Sequence, residues 1–127
     1  MFFYSIDMHY NRTKKYKFTL ENDHCFYVPE LEDVVFSAPF FRCFNGHCVI
    51  SKGYSWNGAT LAKDYPETYI ATLEHDVLYQ YGAAMNLKRK IADLVFRQKM
   101  TEANFKYTNY YYIAVRLCGW FFYYLLN

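Results

Sequence analysis

Hydrophobic and polar positions alternate in short runs through the first half of the chain. Each run is rich in aromatic and β-branched residues and is bounded by Asn, Asp, Gly or Pro, which is typical of strands joined by turns. The predicted strands cover residues 2–8, 16–20, 25–28, 34–38, 40–44 and 47–51. We therefore predict a series of antiparallel β hairpins over residues 1–62.

From Pro66 onward the hydrophobic period changes to three and four residues, which indicates amphipathic helices. The apolar positions of the first predicted helix are Tyr69, Ile70, Leu73, Val77 and Tyr81. Pro66 lies near its first turn, and Gly82 is predicted to stop it. A second helix is predicted over about residues 86–104, with Asn86 as its cap. The link between the two is short, so we expect an antiparallel pair.

The third predicted helix, residues 108–126, is apolar nearly all round. Arg116 lies in its middle and Gly119 interrupts it, whereas a membrane span needs ~20 predominantly apolar residues. We expect its first part to pack on the other two helices, with Gly119 near a C-cap. The aromatic segment that follows, residues 120–126, is predicted to dock on the sheet, on a partner or on a lipid surface, and these three alternatives stay open.

Together these patterns predict an α+β fold in a single domain, residues 1–127, with residues 1–62 mainly β and residues 63–127 mainly α. Aromatic residues make up 23% of the chain, more than a small core needs, so some rings are expected at an interface or in solvent. A coding bias toward tyrosine explains the surplus equally well. The net charge of +2 excludes a basic field large enough for nucleic acid. We interpret the basic runs at residues 14–17 and 88–90 as solvated faces.

Four cysteines, at positions 25, 43, 48 and 118, form no CxxC pair, so a structural zinc site is not expected. Cys43 and Cys48 flank Asn45-Gly46, the strongest two-residue hairpin signal, and should lie opposite each other on two strands. A disulfide in an oxidising compartment and a pair of reduced thiols are both open.

The candidate chemistry lies on the first two helices. With about 100° between successive helical residues, His75 and Tyr79 share one face and Asp76 points roughly a quarter turn away. The antiparallel second helix should bring Asp93 to the imidazole of His75. A histidine held by one carboxylate beside a second carboxylate that can hold a metal is a hydrolytic arrangement. The alternative is a buried hydrogen-bond network that only holds two helices in register.

Four motifs follow one another in the last two thirds of the chain. They are Gly53-Tyr54-Ser55-Trp56-Asn57-Gly58-Ala59-Thr60, His75-Asp76-x-x-Tyr79, Arg89-x-x-x-Asp93-x-x-Phe96 and Ala114-Val115-Arg116-x-x-Gly119. In order and spacing they resemble the Domain of Unknown Function 1353 family of phages and prophages. The resemblance implies a phage setting and no particular activity. Asn57 stands where the family pattern usually has Asp, which removes one negative charge from the loop.

The helical half also resembles the small bacterial and fungal secreted phospholipases A2. These enzymes share the HD-x-x-Y helix, a second antiparallel helix with an aspartate, and a calcium loop shortly before the HD motif. The resemblance implies that His75 is the general base that activates water, that Asp93 orients its imidazole, and that Tyr79 supports the pair.

The same resemblance implies a calcium ion bound by Asp76. Carbonyl oxygens of the loop around Trp56, Asn57 and Gly58 would complete its coordination shell, because calcium prefers hard oxygen ligands. Such an ion polarises an ester carbonyl and stabilises the developing oxyanion. A metal phosphohydrolase of the H…HD…D type, with His47 as the first ligand, is disfavoured because that fold is all-helical and His47 lies on a predicted hairpin.

Three functions follow as alternatives: a calcium-assisted hydrolase of lipid esters, a non-catalytic virion or tail component with the same scaffold, and a small inhibitor of a host or defence protein. The expected partners are lipid or other phage proteins, bound through the aromatic C-terminal segment, and nucleic acid is not expected. The N-terminus has no charged region followed by a long apolar run, so no signal peptide is predicted. The expected location is the host cytoplasm or the virion.

Overall fold

The computed structural model describes residues 16–59 and 62–126. Antiparallel strands in two sheets come first along the chain, and three helices follow, which confirms the predicted α+β class. The strand predicted over residues 2–8 lies outside the described residues.

The first of the two sheets is small. Its strands are β1 (Phe18–Thr19) and β6 (Ser55–Trp56), and β6 was not predicted. The larger sheet contains four strands: β2 (His24–Tyr27), β3 (Val35–Ala38), β4 (Phe41–Phe44) and β5 (His47–Ile50). Its order is β2-β5-β4-β3 and every pair is antiparallel. The prediction of consecutive hairpins is therefore correct for β3 to β5 and wrong for β1 and β2. The strand β1 pairs with β6 and β2 pairs with β5, so neither pairs with its neighbour in the chain.

The β4–β5 turn has the geometry that its sequence predicts. Asn45 and Gly46 both have positive φ, 52° and 84°, as a two-residue type I′ turn requires. Cys43 is consequently paired with Cys48 across the two strands, which confirms the predicted register. The two Sγ atoms are 3.3 Å apart, and both thiols are buried and free.

Three helices follow: α1 (Tyr69–Tyr81), α2 (Arg89–Glu102) and α3 (Thr108–Leu126). Pro66 begins a short 3-10 helix, Pro66–Thr68, which leads directly into α1. The predicted stop at Gly82 is confirmed, because α1 ends at Tyr81 with Gly82 as its C-cap residue; Gly82 keeps a right-handed φ of −58°, and a second 3-10 turn, Ala83–Met85, follows it. The predicted cap at Asn86 is wrong: α2 begins at Arg89 with Lys88 as its N-cap residue, and Asn86 has a left-handed φ of 58°.

The helices α1 and α2 are antiparallel, as predicted from their short link. Glu74 of α1 contacts Lys99 of α2, whereas Tyr79, further along α1, contacts Arg89, which comes earlier in α2. The same reversal relates α2 to α3, because Arg97 lies over the ring of Tyr112, whereas Arg89, which comes earlier in α2, donates to the carbonyl of Val115, which comes later in α3.

The prediction of a C-cap at Gly119 is wrong, since α3 continues to Leu126. The glycine is needed for packing: a Cβ atom at this position would overlap the hydroxyl of Tyr79 and lie 3.1 Å from Nη1 of Arg89. The missing side chain therefore lets α3 approach both other helices closely. Within the described residues, no helix has the length and apolar character that crossing a membrane requires.

The core lies between the larger sheet and the helices. Phe26, Phe41 and Ile50 from the sheet and Leu73 and Leu78 from α1 belong to its buried cluster. The aromatic surplus is partly in solvent, as predicted, on one face of α3. Side chains at least half exposed on this outer face are Tyr110, Ile113, Leu117, Trp120, Phe121 and Tyr124. In the aromatic segment Tyr123 alone points inward among the side chains described, packing edge-on against Tyr79 of α1.

Candidate functional site

The carboxylate of Asp93 lies at the centre of the helical layer. Its Oδ1 atom is 2.7 Å from Nε2 of His75 and accepts a hydrogen bond of 2.7 Å from the hydroxyl of Tyr79. The side chains of His75 and Asp93 are both 0% exposed. The contact predicted between the two helices is therefore confirmed, with Tyr79 on the same face as His75.

Two arginines also bind Asp93, through its other oxygen. Nη1 of Arg89 is 3.0 Å from Oδ2, and Nη1 of Arg116 is 2.8 Å from it. Arg89 additionally donates to the backbone carbonyls of Val115 and Arg116. Asp93 thus receives donors from all three helices.

The sequence interpretation missed both arginines as site residues. The signals that could have identified them are the helical i, i+4 spacing of Arg89 and Asp93 and the isolated cation at Arg116 in an apolar helix. A cation within an apolar helix needs a carboxylate or water nearby, and Asp93 is the carboxylate that this fold supplies.

The buried environment determines the protonation states. Burial lowers the pKa of His75 although the hydrogen bond to Asp93 opposes the shift, so the imidazole is neutral at neutral pH. Burial would raise the pKa of Asp93, but the hydrogen bonds from His75, Tyr79 and Arg116 lower it overall. An ionised Asp93 assigns the proton of the imidazole to Nε2 and leaves the lone pair on Nδ1.

Asp76 lies on a different face of α1, between Thr72 and Gln80, each one turn away. The indole of Trp56 donates to Oγ1 of Thr72 at 3.1 Å, and the hydroxyl of Tyr54 donates to Oε1 of Gln80 at 3.1 Å. Asp76 is thus turned toward the glycine-containing segment before α1, as predicted. Within the described residues neither oxygen of its buried carboxylate has a hydrogen-bond partner, and burial raises its pKa well above the ordinary value.

The loop predicted to share a calcium ion is held by other contacts. Oδ1 of Asn57 accepts the backbone N–H of Lys17 at 3.2 Å. Gly58 has a φ of 71°, and a Cβ atom there would overlap the carboxylate of Asp64, which accepts the N–H of Ala59. In the part of the chain that the structure describes, no group of three or more His, Cys, Asp or Glu residues could hold a metal. The buried carboxylate of Asp76, which has no hydrogen-bond partner in that part, is compatible with a cation ligand.

A second buried carboxylate, Glu74, lies at the boundary between α1 and the larger sheet. Its Oε2 atom is 2.6 Å from Nε2 of His24 and 3.9 Å from Nζ of Lys99. His24 of β2 is therefore in hydrogen-bond contact with the buried carboxylate of α1. His47 is exposed, with its ring 4.9 Å from that of Tyr27, and does not join His75 in an H…HD…D set.

Comparisons with protein-family models, with curated proteins and with solved structures give no match to this chain. The resemblances to the phage family and to the phospholipases A2 therefore stay predictions.

Proposed function

We propose that this protein hydrolyses ester bonds, with lipid esters as its substrate class and His75 as its general base. The observation that supports the proposal is the 2.7 Å contact between Nε2 of His75 and Oδ1 of Asp93. A neutral imidazole whose one nitrogen is held by a carboxylate is the arrangement that activates a water molecule.

In this proposal each residue of the cluster has one task. Asp93 and Tyr79 hold His75 in the tautomer with the proton on Nε2, so that Nδ1 removes a proton from the attacking water. The oxygen of that water attacks the ester carbon, and the proton passes to the departing alcohol. Because His75 is 0% exposed, turnover requires the side chains that cover it to move when substrate binds.

A calcium ion is the proposed cofactor. Asp76 would be its carboxylate ligand, with the carbonyl oxygens around Trp56, Asn57 and Gly58 as further ligands. When bound, the ion would supply positive charge that stabilises the oxyanion of the ester. The buried carboxylate of Asp76, without a hydrogen-bond partner in the described residues, supports this role.

The test is release of fatty acid from phospholipid vesicles, with calcium and with a chelator. We expect calcium-dependent release that falls by about 100-fold or more in His75→Ala, which removes the base. His47→Ala, an exposed histidine on β5, is the matched control and should keep the full rate. Absence of release from the wild type, or equal rates in His75→Ala, would reject the proposal.

The cofactor has its own test in thermal melting. Added calcium should raise the melting temperature of the wild type in proportion to its occupancy and should leave Asp76→Asn unchanged. An equal shift in both proteins would mean that the ion binds elsewhere.

A second candidate function is a non-catalytic virion or assembly component. The observation that favours it is that the fully buried carboxylate of Asp93 accepts hydrogen bonds from all three helices. A cluster whose only role is to hold the three helices together would have the same contacts. This function predicts that variants at His75 and Asp93 lose stability while the wild type releases no fatty acid under any calcium concentration.

A further inference from the structure

A cavity of about 470 Å³ opens between the N-terminal end of α2 and the second half of α3. Four of its lining residues are basic, and none is acidic: Lys88, Arg89, Lys90 and Arg116. Its volume is in the range of sites for small molecules. The sequence interpretation treated residues 88–90 as a solvated face, whereas the fold brings them to Arg116 from a distant helix.

The positive charge of this basic cavity is only partly compensated. Arg89 and Arg116 share one carboxylate, that of Asp93. Lys88 and Lys90 form no ion pair with any carboxylate in the described part of the chain. Four cations around one carboxylate repel one another, and an anion that enters the cavity reduces this repulsion.

Two of the four cations are already fixed in place. Nη1 of Arg89 donates to the carbonyl of Val115 at 2.9 Å as well as to Asp93, and its side chain is 13% exposed. Arg116 is held by Asp93 and keeps 31% of its side chain exposed. Guanidinium groups that are ordered before a ligand arrives lose little entropy on binding it.

The N-terminus of α2 adds to the positive electrostatic potential of the basic cavity. The first residue of α2 is Arg89, no side chain caps the helix at Lys88, and its first turn contains no acidic residue. The partial positive charge of the helix N-terminus is therefore not offset there by a carboxylate.

We propose that this basic cavity binds a phosphate group. Arginine forks and lysine ammonium groups are the side chains that recognise phosphate, and the volume leaves room for an organic group attached to it. The phosphate comes either from a small soluble phosphate compound or from a phospholipid headgroup. The exposed ring of Tyr124, which lines the cavity and also belongs to the outer face of α3, is compatible with both sources. The proposal does not depend on ester hydrolysis.

The first experiment measures binding of pyrophosphate by calorimetry and by thermal melting, against sodium chloride at matched ionic strength. We compare the wild type with the double variant Lys88→Gln, Lys90→Gln, because these exposed lysines can be changed without disturbing the Asp93 cluster. The double variant Lys52→Gln, Lys106→Gln loses the same charge at exposed positions outside the cavity and is the matched control. We expect affinity to fall about tenfold or more in the first variant and to stay unchanged in the control.

The second experiment identifies the source of the phosphate by co-sedimentation with vesicles. Binding to phosphatidylglycerol vesicles that the cavity variant loses, without binding of pyrophosphate, supports the headgroup as the ligand. Binding of pyrophosphate alone supports a soluble phosphate compound. Absence of binding to both probes, or equal binding by the cavity variant and the control, overturns the proposal. Because both readouts are binding, a protein without esterase activity can still pass this test.

Discussion

At the scale of single residues, Asp93 connects the three helices through one carboxylate. His75 and Tyr79 from α1, Arg89 from α2 and Arg116 from α3 all donate to it. When one member of a buried ionic cluster is removed, the remaining charges lose their compensation and the cost exceeds that of the lost contact.

Asp93→Asn should therefore lower the free energy of unfolding by about 3–5 kcal/mol, as for a broken buried ion pair. Urea denaturation at neutral pH measures this change. Asp33→Asn is the control, because Asp33 is exposed, and it should stay within about 0.5 kcal/mol of the wild type. Equal stability of the two variants would mean that the cluster does not hold the helices together.

Replacement of Asp76 should have the opposite effect to replacement of Asp93, because it should raise the free energy of unfolding. Its carboxyl has the ordinary pKa of 3.8 in the unfolded chain, and burial raises the pKa in the folded protein. Between the two pKa values the folded state binds more protons than the unfolded state, so its stability falls as the pH rises through that window. The ionisable carboxyl of Asp76 consequently makes the calcium-free protein less stable at neutral pH than at a pH below 3.8.

Asp76→Asn, which cannot ionise, should thus be more stable than the wild type at neutral pH without calcium. The difference should shrink as the pH falls toward the unfolded pKa of 3.8. Urea denaturation over a pH series measures it, with Asp33→Asn again as the control. A variant that is less stable than the wild type at neutral pH would show that a partner compensates the charge.

At the scale of secondary-structure elements, the position of α3 depends on a close approach at Gly119. The missing side chain leaves room for the hydroxyl of Tyr79 and for Arg89. Tyr79 is buried and bonded to Asp93, so its ring cannot move away without breaking the cluster.

Gly119→Ala is therefore predicted to destabilise the protein, although intrinsic helix propensity alone would predict stabilisation. In an unconstrained helix interior, alanine is favoured over glycine by about 1 kcal/mol. Here overpacking should lower the free energy of unfolding by about 1–3 kcal/mol. Cys118→Ala changes the exposed neighbouring residue and should not destabilise the protein. Thermal or urea unfolding distinguishes the two signs, and a stabilised Gly119→Ala would place α3 further from Tyr79.

At the scale of the whole molecule, one side of α3 is apolar and in solvent. Leu117 is 70% exposed and Tyr124 is 69% exposed, whereas Tyr123 between the outer rings is 4% exposed. A proposed partner of this segment, whether a lipid surface or another protein, would have to cover this outer face.

Tryptophan fluorescence can test whether this face is covered, with Trp120 as the probe and Trp56 as the buried control. Trp120 on α3 is 55% exposed, while Trp56 is 5% exposed and bonded to Thr72. In the variant Trp56→Phe, the emission of Trp120 should be at long wavelength and fully quenched by iodide. Addition of vesicles or of a partner that covers α3 should shift the emission to the blue and protect it. In the variant Trp120→Phe, the emission of Trp56 should resist iodide throughout. A Trp120 that resists quenching in the isolated protein would contradict the exposed position.

Local signals account for the parts of the site that were predictable. The contact of His75 with Asp93 follows from a helical spacing and from a short link that makes α1 and α2 antiparallel. The Asn45-Gly46 turn likewise determines the pairing of Cys43 with Cys48. Arg116 was not predictable in the same way, because its rotation toward Asp93 depends on how a third helix packs.

The sequence by itself therefore determined the α+β class, the three helices, the hairpin register and the facing pair on α1 and α2. Each of these depends on periodicity or on residues close together in the chain. Only the tertiary structure decided that β2 pairs with β5, that α3 approaches through Gly119, and that Lys88 and Lys90 share a cavity with Arg116. These contacts join residues far apart in the chain, and they form because burial of the whole apolar surface, not local preference, selects one packing.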